Sequence, residues 1–559
     1  MRALGVVLVV SASAVAVVLR LTEPAWFYGD AGHDDQLFAR GASALLQGEW
    51  LGPYDNRTLI KGPAYSFFLA ATYATHVPYL LALVGVQLVA AGALATAVAR
   101  TARSAGLGVL LFTALALDPS QLGAAGSRVS RDAWYSSICL LLFALAIAVA
   151  RACAPKSGVS ARHLVALSLL CGAVLVLYAL GREERLWLVP SLAVVALAVS
   201  RGRRNSEDRT AGRRTAWRMR GLALSVVAVV LATGVGTVAM INQREYGARV
   251  ITDLAEGEFA RAYGAWQSVR AGSSRPFVPI NAAQRTAVYD ISASANEMQP
   301  FLENDVGGWR QPGCAALRVC DDFAAGWLPY ALRDAAASTG HFDDAASAQR
   351  FYRRVADDIA AGCRSGTLEC GKPLPLLLPP LEDIDIGAVA AGSRASLSHV
   401  IHFRESAAPP PLTEAAPANY ELFRRAIRGL PPSVEQKQAQ ERRDGPASGA
   451  AGVLGTLYMC VAFIALIPAL VGYITNLRPR SWSTVHAPEL VWIGLAAGLA
   501  CAVRAALLGL IDATSFPAAK TGYTLPSTGF LIVFLAIGLW LLVGQFAARS
   551  RHAPIPVGP

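Results

Sequence analysis

The chain has 559 residues, of which 54% are hydrophobic and only 16% charged, with a mean hydropathy of +0.40 and a formal net charge of +11. A soluble globular protein of this size seldom combines those values, so much of the chain must be solvated by lipid. The positive charge does not point to nucleic acid, because no soluble basic domain with interleaved aromatic residues carries it.

Crossing a hydrocarbon core takes about 20 mostly apolar residues in a helix. Residues 3–19, 79–99, 134–150, 222–241, 453–474, 490–511 and 530–546 qualify, and shorter apolar runs at 105–117, 164–180 and 186–200 bring the expected number of spans to about ten. The first run begins Met-Arg, as a signal peptide does. It leads into Arg20 and Leu21 without a small-x-small cleavage site, so it reads as an uncleaved first span. The expected fold is mainly α: a polytopic membrane helical bundle of about ten spans with a mostly helical extracytoplasmic domain.

The basic residues sort by loop. Arg201, Arg203, Arg204, Arg209, Arg213, Arg214, Arg218 and Arg220 stand against only Glu207 and Asp208, which makes that loop cytoplasmic by the positive-inside rule. Counting spans outward puts Arg100, Arg103, Arg151, Lys156, Arg162, Arg478, Arg480, Arg549 and Arg551 on the same side, together with both termini. Residues 21–78 and 242–450 then face outward from a bacterial-type plasma membrane. The chain divides into an N-terminal transmembrane module at 1–241 that contains the first outer loop, an extracytoplasmic domain at 242–450 and a C-terminal transmembrane module at 451–559.

The long outer segment is large enough to bury a core of its own. Cys314 and Cys320, and Cys363 and Cys370, are close in sequence, whereas the other five cysteines lie singly in or beside apolar runs. Two short-loop disulfides in an oxidising compartment fit this pattern; a zinc site competes, but no His spacing supports it. Phe351, Val355 and Ile359 recur every four residues, which predicts an amphipathic helix over 346–362, and 419–428 looks similar. The Pro-rich stretches at 373–380 and 409–411 and the polar 432–449 segment read as loop and linker. A spacer or docking role suits this domain better than catalysis within it.

The first outer loop carries the densest chemistry: Tyr28-Gly-Asp30-Ala-Gly-His33-Asp34-Asp35-Gln36, then Gly48-Glu-Trp50-Leu-Gly-Pro53-Tyr54 and Lys61-Gly-Pro63. Adjacent carboxylates at a membrane surface repel each other, so at least one must have a raised pKa or a cationic or metal partner. A solvated acidic turn is the bland alternative. The surrounding order, a helix-like 36–47, a Gly-x-Trp turn and Lys-Gly-Pro before an apolar run, argues for a site.

This order resembles the GT-C superfamily of integral membrane glycosyltransferases, especially the protein O-mannosyltransferase and aminoarabinose-transferase group. Over roughly the first 200 residues the pattern is similar: one span, an outer loop with an acidic pair, a Gly-x-Trp turn and a Lys-Pro-Pro-like start to a juxtamembrane helix. The resemblance implies that Asp34 is the catalytic base, with Asp35 beside it, and that Lys61 contacts the phosphate of a lipid-linked donor. This chain departs from the pattern in reading Lys-Gly-Pro and in having Asp as the second acid.

Other outer-facing polar residues are candidates for the same cavity: Tyr54, Arg131, Asp132, Glu183 and Glu184, with Arg128 nearby. Asp132 also reads as a simple helix cap. The cluster Gly181-Arg182-Glu183-Glu184-Arg185, between two apolar runs, predicts an ion-pair network or else a short solvated loop. Arg182 and Arg504 are candidate donor-phosphate contacts, with a structural Arg504–Asp512 link as the competing reading, and Tyr523 and Pro526 are expected at the border of the donor cleft. No cofactor motif is evident, although Asp34 and Asp35 suffice to hold a divalent cation.

An outer-face transferase needs a donor that crosses the bilayer as a lipid. The expected activity is therefore inverting transfer of a sugar from a polyprenyl-phosphate donor to a hydroxyl of a glycan, lipid or protein acceptor. A transporter or flippase, or a non-enzymatic envelope assembly protein, are the alternatives. Repeated halves with matching interrupted helices, common in transporters, are not evident.

Overall fold

The structure is a computed structural model that describes residues 2–22, 25–29, 31–154, 158–201, 211–372, 384–403, 417–427, 446–477 and 488–551. Asp30, Lys156, the whole basic 202–210 stretch, Arg478, Arg480 and the larger part of the three Pro-rich or polar linkers lie outside those residues. Among the described residues, nine helices are long and apolar enough to cross a membrane: Ala3–Thr22, Tyr79–Ala102, Ala105–Leu122, Arg131–Ala152, Ala161–Ala179, Trp217–Tyr246, Gly452–Leu477, Pro488–Thr514 and Gly522–Phe546. The chain is a multi-pass helical membrane protein. The tenth expected span is shorter than the rest: Arg185–Ala198 is apolar, but its first turn is a 3₁₀ helix, Arg185–Leu188.

Local chemistry sets the breaks between helices. Tyr79–Ala102 stops at Arg103, which adopts a left-handed φ of 52°, and Ser104 starts the next helix by accepting a hydrogen bond from Leu107 N. That helix is interrupted at Asp118, whose carboxylate accepts from Ser120 N ahead of a Pro at the first helical position. The first outer loop folds into two short helices, Asp35–Leu46 and Ala64–Ala74. Gly48, with φ 80°, turns the chain after the first of them, and Trp50 Nε1 then donates to Asn242 Oδ1 at 2.7 Å.

The expected outer domain has its own core, built from Phe259, Trp266, Leu328, Phe351, Val355 and Ile359 among others. The expected amphipathic helix runs from Ala345 to Ser365; Asp344 caps its start and Gly366, at φ 79°, ends it. Phe351, Val355 and Ile359 are fully buried, as their spacing predicts. Cys314–Cys320 and Cys363–Cys370 are disulfides with Cα separations of 4.2 and 5.6 Å, so those sulfurs are not zinc ligands. The other five cysteines are free.

Two helices from the second half of the expected outer segment pack elsewhere. Ile386–His402 lies along Pro488–Thr514, with Val400 and Phe403 in the same core as the membrane helices. Pro417–Ile427 packs on the first outer loop, where Phe423 stacks on Phe27 at 3.6 Å. These segments cover the membrane module.

The outer domain is tied to the first loop by one buried arginine. Arg333 bonds Asp253 through Nη1, the Asn56 carbonyl at 2.8 Å and the Thr58 carbonyl at 2.7 Å. Asn56 also donates to Asp334 at 2.5 Å, and Asp253 N donates to the Leu59 carbonyl at 2.8 Å. Arg333→Ala strands the Asp253 carboxylate in a sealed site and is expected to cost about 3–5 kcal/mol. Arg275→Ala, which breaks a solvent-exposed pair with Asp321, is expected to leave stability unchanged. Denaturant unfolding of both variants in detergent checks the contrast.

Candidate active site

The two adjacent aspartates of the first loop have different environments. Asp35 opens the Asp35–Leu46 helix and is fully buried. Its Oδ2 accepts from Tyr28 N at 2.8 Å and from Arg128 Nε at 3.0 Å, and its Oδ1 accepts from Arg128 Nη2 at 2.8 Å. Arg128 in turn lies over the rings of Tyr28 and Trp26, 4.7 and 5.5 Å from their centroids. Burial pushes the Asp35 carboxyl up while the Arg128 fork opposes it. Asp35, expected from the sequence as a second catalytic carboxylate, is instead buried and held by three hydrogen bonds that join the loop to the Arg128 segment.

Asp34 sits one residue earlier, at the helix start, but its side chain makes no capping bond. It pairs with Lys61 Nζ and keeps 53% of its side chain accessible, whereas Lys61 is 7% accessible. Burial works to raise its pKa, but Lys61, Arg128 and Arg131 outweigh that and hold the carboxyl at about 2. Asp34 is thus an ionised, reachable carboxylate. Because Asp34 and Asp35 point to different cations, they form no shared cation-holding pair; among the described residues, no group of three or more His, Cys, Asp or Glu is placed to hold a metal.

Lys61 is positioned by the backbone that follows it. A Cβ on Gly62 would fall 2.1 Å from the Leu180 carbonyl oxygen, which itself accepts from Ala64 N at 3.3 Å. The Lys-Gly-Pro spelling is therefore a packing requirement of this close approach. His33, beside Asp34, lies against Tyr330 at 4.4 Å and Trp309 at 5.3 Å, both from the outer domain. Burial first, then Arg57 and Lys61, lower its pKa to about 3 and keep the ring neutral.

Behind this pair runs a continuous ion-pair mesh. Arg131 grips Glu183 in a two-point fork at 2.9 and 2.8 Å and donates to the Gly181 carbonyl at 3.0 Å. Arg182 bridges Asp132 and Glu184, the latter at 2.7 Å. Glu184 is held below the usual carboxylate range by Arg182 and Arg504, against the effect of burial. The network reading of the 181–185 cluster holds, and Asp132 is a member of that network: it takes Arg182 and the Ser130 hydroxyl and is not a simple cap.

Two site expectations need correction. Arg504 is fully buried, and each of its guanidinium nitrogens bonds within the protein, to Glu184 Oε1 at 3.2 Å and to the Tyr523 carbonyl at 3.4 and 3.2 Å. Its local partner is not Asp512 either, because that carboxylate accepts from Ala518 N at 2.8 Å and Ala519 N at 3.0 Å. Tyr54 does not line the cleft. It packs between Tyr246 and Phe342, at ring distances of 5.6 and 5.8 Å, where the first loop meets the outer domain.

Sequence reasoning missed Tyr330 and Lys520. Tyr330 feels the charges of Asp34, Glu183 and Arg131, and Lys520 those of Arg128, Asp132 and Asp34. Neither sits in a motif; the only sequence signal for Lys520 is a cation in the short outer connection before the last span. Tyr523, expected at the border of the donor cleft, has the Arg182 guanidinium 5.4 Å from its ring centroid. Pro526 lies one turn further into the same helix.

Arg128→Ala is expected to cost about 3–5 kcal/mol by leaving Asp35 uncompensated, and the Arg128→Ala, Asp35→Ala pair is expected to cost less than the sum of the single changes. A double-mutant cycle of unfolding free energies measures the coupling.

No family model matches the sequence, and no curated protein matches it. Among solved structures the chain is similar to ArnT from Cupriavidus metallidurans in the apo state, at 14% identity, with a TM-score of 0.33 and coverage of 96% of this chain and 78% of that one. It is also similar to ArnT from Cupriavidus metallidurans bound to undecaprenyl phosphate, at 14% identity, with a TM-score of 0.32 and coverage of 99% and 81%.

Proposed function

We propose that this protein transfers a sugar from a polyprenyl-phosphate donor to an acceptor hydroxyl at the extracytoplasmic face of a bacterial-type inner membrane. The observation that carries the reading is the reachable Asp34 carboxylate, ion-paired to Lys61 and framed by charged groups at the outer ends of the membrane helices. The two disulfides support an oxidising compartment for the outer domain, and both termini then lie in the cytoplasm.

In this mechanism the donor lies with its chain between the spans and its phosphate toward Lys61 and the Arg182 region. Asp34 takes the proton of the acceptor hydroxyl as that oxygen bonds to the anomeric carbon. The bond from the anomeric carbon to the phosphate oxygen breaks, its electron pair leaves on the polyprenyl phosphate, and fixed cations stabilise the charge. A single displacement inverts the sugar. An arriving phosphate also competes with Asp34 for Lys61, which makes the carboxylate more basic as the donor binds. The outer domain, touching the first loop through Arg333 and His33, helps to seat the acceptor.

The expected effect of Asp34→Asn is a loss of about 10²- to 10⁴-fold in turnover, assayed as sugar transfer from the lipid donor by purified protein. Full activity of Asp34→Asn ends the proposal. The pH profile adds a signed test. Because Lys61 depresses the Asp34 pKa to about 2, activity that depends on ionised Asp34 should be lost only as pH falls toward that value. In Lys61→Met the same acid limb should move up, to or above the ordinary carboxylate range of roughly 4, on top of any loss in rate.

A further inference from the structure

Every arginine or lysine of the mesh has a carboxylate partner: Lys61 has Asp34, Arg128 has Asp35, Arg131 has Glu183, Arg182 has Asp132 and Glu184, and Arg504 has Glu184. These cations are already neutralised, so a phosphate must compete with a carboxylate for each of them. Lys520 differs. It is exposed and has no carboxylate partner among the described residues. Its Nζ lies 5.3 Å from the centroid of the Tyr523 ring, the same ring that Arg182 approaches to 5.4 Å.

The turn that carries Lys520 is fixed against the site. Tyr523 N and Thr524 N donate to the Lys520 carbonyl at 3.1 and 3.2 Å, and the Tyr523 carbonyl is held by Arg504. A Cβ on Gly522 would stand 3.7 Å from Asp132 Oδ2, so this turn lies directly on the carboxylate that grips Arg182. Lys520 is thereby brought within electrostatic reach of Asp34, Asp132 and Arg128. Its flexible four-carbon stem ends in a strongly hydrated point charge, a chemistry suited to a phosphate that arrives and leaves.

We infer that Lys520, carried by the C-terminal transmembrane module, is a phosphate-binding residue of the donor site, so that the site is incomplete without that module. This rests on the proposed donor being a polyprenyl phosphate. Arg504 then acts as a positioning residue, holding the Tyr523 carbonyl and with it the turn.

The test uses the full chain in lipid nanodiscs, with undecaprenyl phosphate as the probe and undecaprenol as its uncharged counterpart. Wild-type protein should bind the phosphate in preference to the alcohol. Lys520→Ala should weaken phosphate binding roughly ten- to a hundredfold and leave undecaprenol binding and the thermal midpoint unchanged. Lys520→Arg should recover much of the loss. Inorganic phosphate should compete in wild type more strongly than in Lys520→Ala, which separates headgroup recognition from binding of the chain. If wild type prefers the phosphate and Lys520→Ala retains that preference in full, the assignment of Lys520 is overturned while the donor class stands. If wild type does not distinguish the two lipids, the donor class falls and Lys520 falls with it.

Discussion

A charge at the boundary between water and hydrocarbon needs a partner, because removing an ion from water costs several kcal/mol even after the protein relaxes. This constraint shapes the site. Its pairs join segments far apart in sequence: Asp35 to Arg128, Asp132 to Arg182, Arg131 to Glu183, and Glu184 to Arg504 across 320 residues. Satisfying each charge therefore brings the first outer loop, the start of the Arg131–Ala152 helix, the 181–184 turn and the C-terminal module to one place. The ion pairs fix how these segments meet as much as the apolar spans fix the interior.

The same constraint separates two chemically identical neighbours. Asp35, the first helical residue, points inward and is consumed by Arg128. Asp34, one position earlier and outside the helix, is turned toward Lys61 and the solvent-accessible side. Neighbouring positions at a helix start face different directions, so an acidic pair yields one anchor and one reachable carboxylate. Arg333 extends this arrangement into the outer domain: its bonds to the Asn56 and Thr58 carbonyls set the path of the loop that leads to Lys61. The outer domain and the first loop are thus mechanically coupled, and a change in one is felt by the other.

What the sequence makes legible follows from the range of the interaction involved. Apolar runs, the four-residue repeat of Phe351, Val355 and Ile359, and the short Cys spacings are local, and each corresponds to an element in the structure. The candidate base and its lysine were readable because a pattern links residues only 27 positions apart. Partner choice was not readable. Arg504 has an acid two turns away on its own helix, yet it pairs with Glu184, while Asp512 accepts from the backbone of the following turn. Tyr54 belongs to a loop with functional spelling but serves packing. Helix 386–402, rich in Ala, Ser and Gly, gives no strong pattern; its small residues instead permit close approach to Pro488–Thr514, where a Cβ on Gly392 would stand 3.0 Å from Gly509 Cα.

Everything proposed for the site depends on Lys61 holding Asp34 ionised. Isotope-edited infrared titration of the Asp34 carboxyl in nanodiscs reads this directly. In wild type the carboxylate band should persist down to about pH 2, and in Lys61→Met it should protonate at clearly higher pH. A wild-type carboxyl that titrates at or above the ordinary range of about 4, with no change on removing Lys61, would contradict it.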